Sequence, residues 1–218
     1  VFEKNDARLM KEIEKQDDSV DRLHEAIKLY LVRLSATGLA ASDSRRYVET
    51  LTFITNLEHV GDIIDKNLMD LGGKKIRNHY TFSREGFDEL RQFHRRVADN
   101  MKLALNVFTS RDVRLARKLL AEKTLLREAE LQAASSHYAR LQAGRTESIE
   151  TSSIHLDVIR DLKRINSHVT SVAYPILEET GELLVSRLRF AGSPLIEARA
   201  ETTAAESADD LTQPRQQS

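Results

Sequence analysis

Residues 56–67 read NLEHVGDIIDKN. Glu58 and Asp62 stand four positions apart, with Asp65 following, and Asp17 and Asp21 repeat that spacing upstream. On an α-helix, positions four apart share a face. Two antiparallel helices facing each other through these rows would bring the carboxylates of Asp17, Asp21, Glu58 and Asp62 together, with Asp65 beside them. Like charges that close do not all stay ionised without a counter-charge, so protons or a metal ion must enter. Carboxylate oxygens suit hard ions such as magnesium, manganese or iron, and a nearby imidazole widens the choice to zinc. His24 and Glu25 are further candidate ligands, and Gly61 would let the two helices approach closely. The alternative is a solvated acidic face paired with Arg22, Lys28 or Lys66, the usual fate of charge rows on long helices.

The elements that must position these residues are helical. Apolar residues recur at Val20, Leu23, Ile27, Leu31 and Leu34 within residues 4–38, before Gly38. A second row, Phe53, Leu57, Val60, Ile64, Leu68 and Leu71, follows a start at Ser42 or Asp43 and is expected to stop at Gly72-Gly73, leaving a basic loop over 72–82. The third runs from Ser83 through Phe87, Leu90, Val97, Met101, Ala104 and Phe108 to Ser110. The fourth starts at Asp112 and steps through Leu115, Leu119, Glu122, Leu126, Ala129 and Ala133 as a coiled-coil seam does, ending at Gly144. The fifth starts near Thr146 or Ser148 and carries Ile154, Val158, Leu162, Ile165, Val169, Val172 and Ile176, with Pro175 as a kink and Gly181 as its end. GELLVSRLRF then adds a short amphipathic turn. Beyond Gly192 apolar periodicity ceases, and residues 191–218 are expected to be a disordered tail.

Composition agrees with an all-α protein. Aromatics make up 6% of the 218 residues, with 8 Gly, 3 Pro and no Trp, which leaves little material for sheets. A net charge of −1 argues against a nucleic-acid binder, whose clustered Lys and Arg would make the domain basic. With no Cys there are no disulfides and no thiolate ligands. No run of about 18 apolar residues could span a membrane. The chain begins at Val1, which suggests a piece of something longer or a processed chain. Short links between long helices force antiparallel neighbours, hence an elongated antiparallel bundle.

The layout repeats. Asp21 and Glu58 are 37 residues apart, while Arg127 and Lys163, at matching places in the fourth and fifth helices, are 36 apart. With the third helix leading the second hairpin, the second unit has three helices and the first only two. The expected division is therefore 1–82, a first repeat lacking its first helix, and 83–190, a three-helix second repeat.

The stretches DDSVDRLHEAIKLYL, LEHVGD and DLKRINSHVTSVAYPILE resemble the PhoU-like domain at the C-terminus of bacterial sodium/phosphate cotransporters, over roughly residues 5–185. The resemblance implies two similar three-helix bundles and an E/D-x-x-x-D motif that binds iron or zinc, here through Asp17, Asp21, Glu58, Asp62 and Asp65. It further implies a regulatory rather than enzymatic domain that modulates phosphate uptake from the cytoplasmic side of the inner membrane. Its partners would be the transporter portion of the same polypeptide and a second copy of the chain, phosphate acting indirectly. A stand-alone PhoU-type phosphate-signalling regulator is the nearest alternative. A dimetal bundle enzyme is more distant, because it needs two Glu-x-x-His pairs and the nearest approach here is one Asp21-x-x-His24.

The second repeat departs from the pattern, carrying Lys123, Arg127, Lys163 and Ser167 where the first has Asp17, Asp21, Glu58 and Asp62. Ammonium and guanidinium groups do not ligate metals. This site is expected to hold ion pairs to Glu122, Glu130 and Asp161, or alternatively to receive an anion. Asp157 and Asp161 fall outside the motif register, and His79, His94 and His168 have no context that marks a phosphoacceptor.

Overall fold

A computed structural model describes residues 1–36, 38 and 40–182, the side chain of residue 41 excepted. The described residues are helical throughout, with no strand among them. The tail, and all but the first two residues of GELLVSRLRF, lie outside them.

Helix α1 spans Ala7–Ser35, and Asp6 caps it by accepting from the Arg8 and Leu9 amides at 2.9 and 3.3 Å. Its apolar row is less buried than its spacing predicts: Leu31 is buried, but Leu23 is 62% exposed. The reason is that α1 packs chiefly on one layer, formed by α2 (Ala41–Asp62) and its continuation. Neither Ser42 nor Asp43 caps α2. Ala40 holds the cap position with no side-chain bond, and Ser44 returns its hydroxyl to the Ala40 carbonyl at 3.0 Å.

The helix does not stop at Gly72-Gly73. It passes through a π-helical segment, Ile63–Leu68, into α3 (Met69–Arg77), and only Asn78–Ser83 form the loop. Both glycines are buried mid-helix because other chain fills their missing side-chain space. A Cβ at Gly72 would lie 2.7 Å from Val1 Cγ1, and one at Gly73 would lie 3.3 Å from Met10 Cε.

Helix α4 (Arg84–Ser110) starts as read, with the Ser83 hydroxyl accepting from the Gly86 amide. Arg111 closes it in the left-handed conformation (φ 53°). Asp112 then caps α5 (Val113–Gln142) through the Arg114 and Leu115 amides. Gly144 (φ 68°) turns the chain into a short α6 (Thr146–Glu150), and α7 (Ser152–Thr170) follows. The fifth row is interrupted at Ser171–Val172, before α8 (Ala173–Glu179). Pro175 therefore sits in the first turn of α8, where a missing N–H costs nothing.

Helices α4, α5 and α7 pack as a three-helix bundle, and α2 lies against α7. The core is assembled from the rows read above, including Leu90, Val97, Leu119, Leu126, Ile154, Leu162 and Val169. At 1.5 Å per residue α5 is about 45 Å long. The described residues up to Glu182 fall in one compact unit, within which residue 82 lies in the loop between α3 and α4.

Candidate functional site, a carboxylate cluster between the first two helices

Helices α1 and α2 run antiparallel, and the hairpin brings Asp17 onto Gly61. A Cβ at Gly61 would lie 2.5 Å from Asp17 Oδ1, so glycine is what lets that carboxylate rest on the backbone of α2. Asp17 is 9% exposed, and its Oδ1 is buried without a hydrogen-bond partner. Its pKa is raised, first by burial and then by the charges of Asp21, Asp65 and Asp62, with Lys66 opposing. Four of the five expected acids thus share one field. They do not form a closed ligand set: among the described residues no three His, Asp or Glu groups are placed to hold a metal ion. Asp62 is drawn to Lys66, one turn on, in an ion pair.

Glu58 takes another direction. It lies 3.6 Å from His59, whose ring meets that of His168 edge-on at 5.1 Å. His168 Nδ1 is 2.8 Å from Asn56 Oδ1, and Asn56 Nδ2 donates to Ser171 Oγ at 3.0 Å. Burial, then the neighbouring His59 and Arg164 charges, lower the His168 pKa. His24 faces Thr55 at 3.5 Å and Glu25 is exposed. His94 is exposed, and His79 occupies a left-handed turn position (φ 55°).

Of the four basic or polar positions expected to depart from the acidic motif, two are bound internally. Lys163 pairs with Glu130 at 2.6 Å and Lys123 donates to the Tyr174 hydroxyl at 3.0 Å. Asp161, fully buried, meets Arg164 at 3.0 Å rather than Lys163.

One polar centre was not anticipated from the sequence. Glu89 on α4 receives both guanidinium nitrogens of Arg140 at 2.7 and 2.8 Å and lies 3.2 Å from His155 Nε2. His155 stacks on His137 at 4.8 Å, and His137 contacts Ser152 Oγ at 2.8 Å. Burial alone would raise the Glu89 pKa, but the His155 contact and the Arg140 fork outweigh it and hold it at about 2. Burial and the His155 and Arg140 charges lower the His137 pKa. A signal existed in the α5 seam: four residues after Ala133 its next core position is a histidine, His137.

Because burial and like charges penalise ionised Asp17, Asp17→Asn is expected to stabilise the hairpin at neutral pH in metal-free buffer. An acid whose folded pKa is raised is fully charged, and most destabilising, above that pKa; the penalty is relieved as pH falls through it. The variant's advantage should therefore shrink on acidification toward pH 4, as chemical denaturation at several pH values would show. An unchanged or reduced midpoint at pH 7 would contradict it.

The PhoU domain model matches residues 1–69 and 90–176. Among curated proteins, the chain is similar to "Putative inorganic phosphate export protein YjbB". It is 38% identical to the Escherichia coli protein over 175 residues, 80% of this chain and 32% of the relative. It is 40% identical to the Salmonella typhimurium protein over 169 residues, 78% and 31% respectively. The chain thus spans about a third of the length of these relatives. Among solved structures it resembles PhoU from Pseudomonas aeruginosa (TM-score 0.72, 20% identity, 82% of this chain and 84% of that one). It also resembles the phosphate transport system regulatory protein PhoU from Streptococcus pneumoniae (TM-score 0.67, 19% identity, 84% of each). The domain model covers well over half of the chain, and this chain belongs to the PhoU domain family.

Proposed function

We propose that this chain is the regulatory PhoU domain of a larger protein that carries inorganic phosphate across the bacterial inner membrane, acting from its cytoplasmic side and binding a metal ion between α1 and α2. The observation that carries the transport reading is its similarity to about a third of proteins named for phosphate export. That name favours efflux over the uptake expected from the cotransporter resemblance. Among the described residues no helix is long and apolar enough to cross a membrane. Its partners are that remainder and a second copy of the chain. The test is phosphate flux, inward and outward, in cells carrying the full-length protein with and without residues 1–183. A changed rate is expected, and equal fluxes would refute the regulatory role.

The metal reading rests on the buried, unpartnered Oδ1 of Asp17 among Asp21, Asp62 and Asp65, with Glu58 one turn away. Bound iron or zinc would relieve the repulsion that otherwise falls on Asp17. Replacing Asp21 and Asp62 together with Asn should lower metal content after chelation and reloading, and abolish stabilisation by added metal, since a ligand held only by the folded state stabilises it by mass action. Replacing Lys123 and Lys163 with Ala should leave metal content unchanged. A double Asn variant with a full metal load would show the acids to be a solvated face.

A further inference from the structure

We propose that α1 is the surface through which two copies of this chain associate, as an antiparallel pair of helices with Val20 and Leu23 at its centre. The inference rests on the second copy named above as a partner and assigns its surface.

Helix α1 carries two apolar faces, and the α2–α3 helix takes one. Met10, Asp17 and His24, seven residues apart, meet Gly73, Gly61 and Thr55 there, and Leu31 is buried in the same register. Beside that face runs a second heptad seam, stepping by three and four from residue 9 to residue 34. One core position holds Ile13, Val20, Ile27 and Leu34; the other holds Leu9, Gln16, Leu23 and Tyr30. The α2–α3 helix covers this seam along one edge only: Ile13, Val20 and Ile27 are half-buried, whereas Leu9, Leu23 and Tyr30 are 38, 62 and 64% exposed. Glu14, Asp18, Asp21 and Glu25 stand on the opposite side of α1, so the seam itself carries no acid. An apolar stripe about 38 Å long, at 1.5 Å per residue, exceeds what scattered surface leucines leave and fits a second helix.

Charge decides the direction and the partner. The free edge of the seam holds Glu12, Ser19, Ala26 and Arg33, and neither Glu12 nor Arg33 makes an ion pair among the described residues. Were the two helices parallel, Glu12 would face Asp17 of the second copy, a like charge already turned onto Gly61. Reversing one helix so that Val20 meets Leu23 of the second copy sets Ile13 against Tyr30 and Glu12 beside Arg33, twice over by symmetry. Ser19 then lies beside Ala26, two small side chains that permit close approach. Gln16, opposite Ile27, is the one polar seam position, and a single polar residue there fixes register at a cost in stability. A second copy supplies both charges and both small residues at the required places by itself.

The test is the oligomeric state of the full 218-residue chain, by sedimentation equilibrium over a range of concentrations. A dimer is expected. Leu23→Lys and Tyr30→Lys should each raise its Kd about tenfold or more, because each forces a charge into a core layer. Val32→Lys is the control: Val32 is 53% exposed on the opposite side of α1, and Kd should not change. Arg33→Glu should weaken the dimer about threefold, and adding Glu12→Arg should restore it. Because the chain has no Cys, Ser19→Cys mixed with Ala26→Cys should cross-link on oxidation. Leu9→Cys alone should not, since an antiparallel pair holds its two copies about 38 Å apart. Circular dichroism separates lost association from lost folding, and if the Lys variants unfold, the charge swap and the cross-links decide. A monomer at every concentration, as when another helix of a longer protein owns the seam, would overturn the inference and the second copy with it, while phosphate flux keeps its own test. A dimer that survives Leu23→Lys and Tyr30→Lys, or that Val32→Lys breaks as readily, would overturn this surface alone. Cross-linking through Leu9→Cys would show a parallel pair and overturn the arrangement.

Discussion

Replacing Glu89 with Gln should lower stability by about 3 kcal/mol, because it strips the charge from a shielded pair and leaves Arg140 stranded. The Arg140 side chain is 11% exposed and both its contacts to Glu89 are under 2.9 Å. Its positive charge would then sit beside the stacked imidazoles of His137 and His155 with no carboxylate between. Changing both partners to Met should cost less than the single change, since an apolar pair leaves no charge unpaired. The pH dependence has the opposite sign to that at Asp17. With a folded pKa near 2 against an ordinary 4.5, Glu89 contributes fully above about pH 4.5, and the contribution disappears as pH falls through 2. Urea unfolding at pH 7 and at pH 3 measures both effects. A single-variant loss under about 1 kcal/mol at pH 7 would show that the network is dispensable.

Leu119→Ala should cost a similar 3–5 kcal/mol, by a different route. Leu119 is fully buried, in the same core as the fully buried Ala104, Val107 and Ala116. Removing its side chain forfeits transfer energy and leaves a cavity that long, mutually braced helices close only in part, with expected cost in the range of about 3–5 kcal/mol. Leu131→Ala on the same helix is the contrast. That residue is 62% exposed, and its loss should change stability by about 0.5 kcal/mol or less. Chemical denaturation of the pair decides it, and equal costs would mean that the seam of α5 is not the load-carrying face.

The seam of α5 and the rows of α4 and α7 were legible because each is packed on more than one side, so period and burial coincide. The caps at Ser83 and Asp112 were legible for a local reason: a short polar side chain can close its own first turn. The row of α1 was legible as a helix but not as a core, since spacing says where residues point and not whether anything is there. Gly72-Gly73 misled because glycine both ends helices and admits close neighbours. Only the distant Val1 and Met10 reveal which applies. The acid cluster was read from i,i+4 spacing, which assumes an uninterrupted α-helix. It placed Asp17 where the charges of Asp21 and Asp62 help raise its pKa, but gave no sign that Glu58 would turn toward His59 and His168. The Glu89 centre joins three helices distant in sequence, and no local pattern encodes that.

The π turn at Ile63–Leu68 is in effect a one-residue insertion carried in the middle of a long helix. Each residue of an α-helix advances the face by about 100°, so everything beyond Leu68 is phased by that single extra unit. Gly72 meets Val1, Gly73 meets Met10 and the Lys75 ammonium reaches the Asn5 amide oxygen at 2.5 Å only in this phase. An in-frame loss of one codon within 63–68 would restore regular α-helix and yet rotate α3 away from the chain's first residues. The reading frame of the gene would survive such a deletion, while the angular frame of the helix would not.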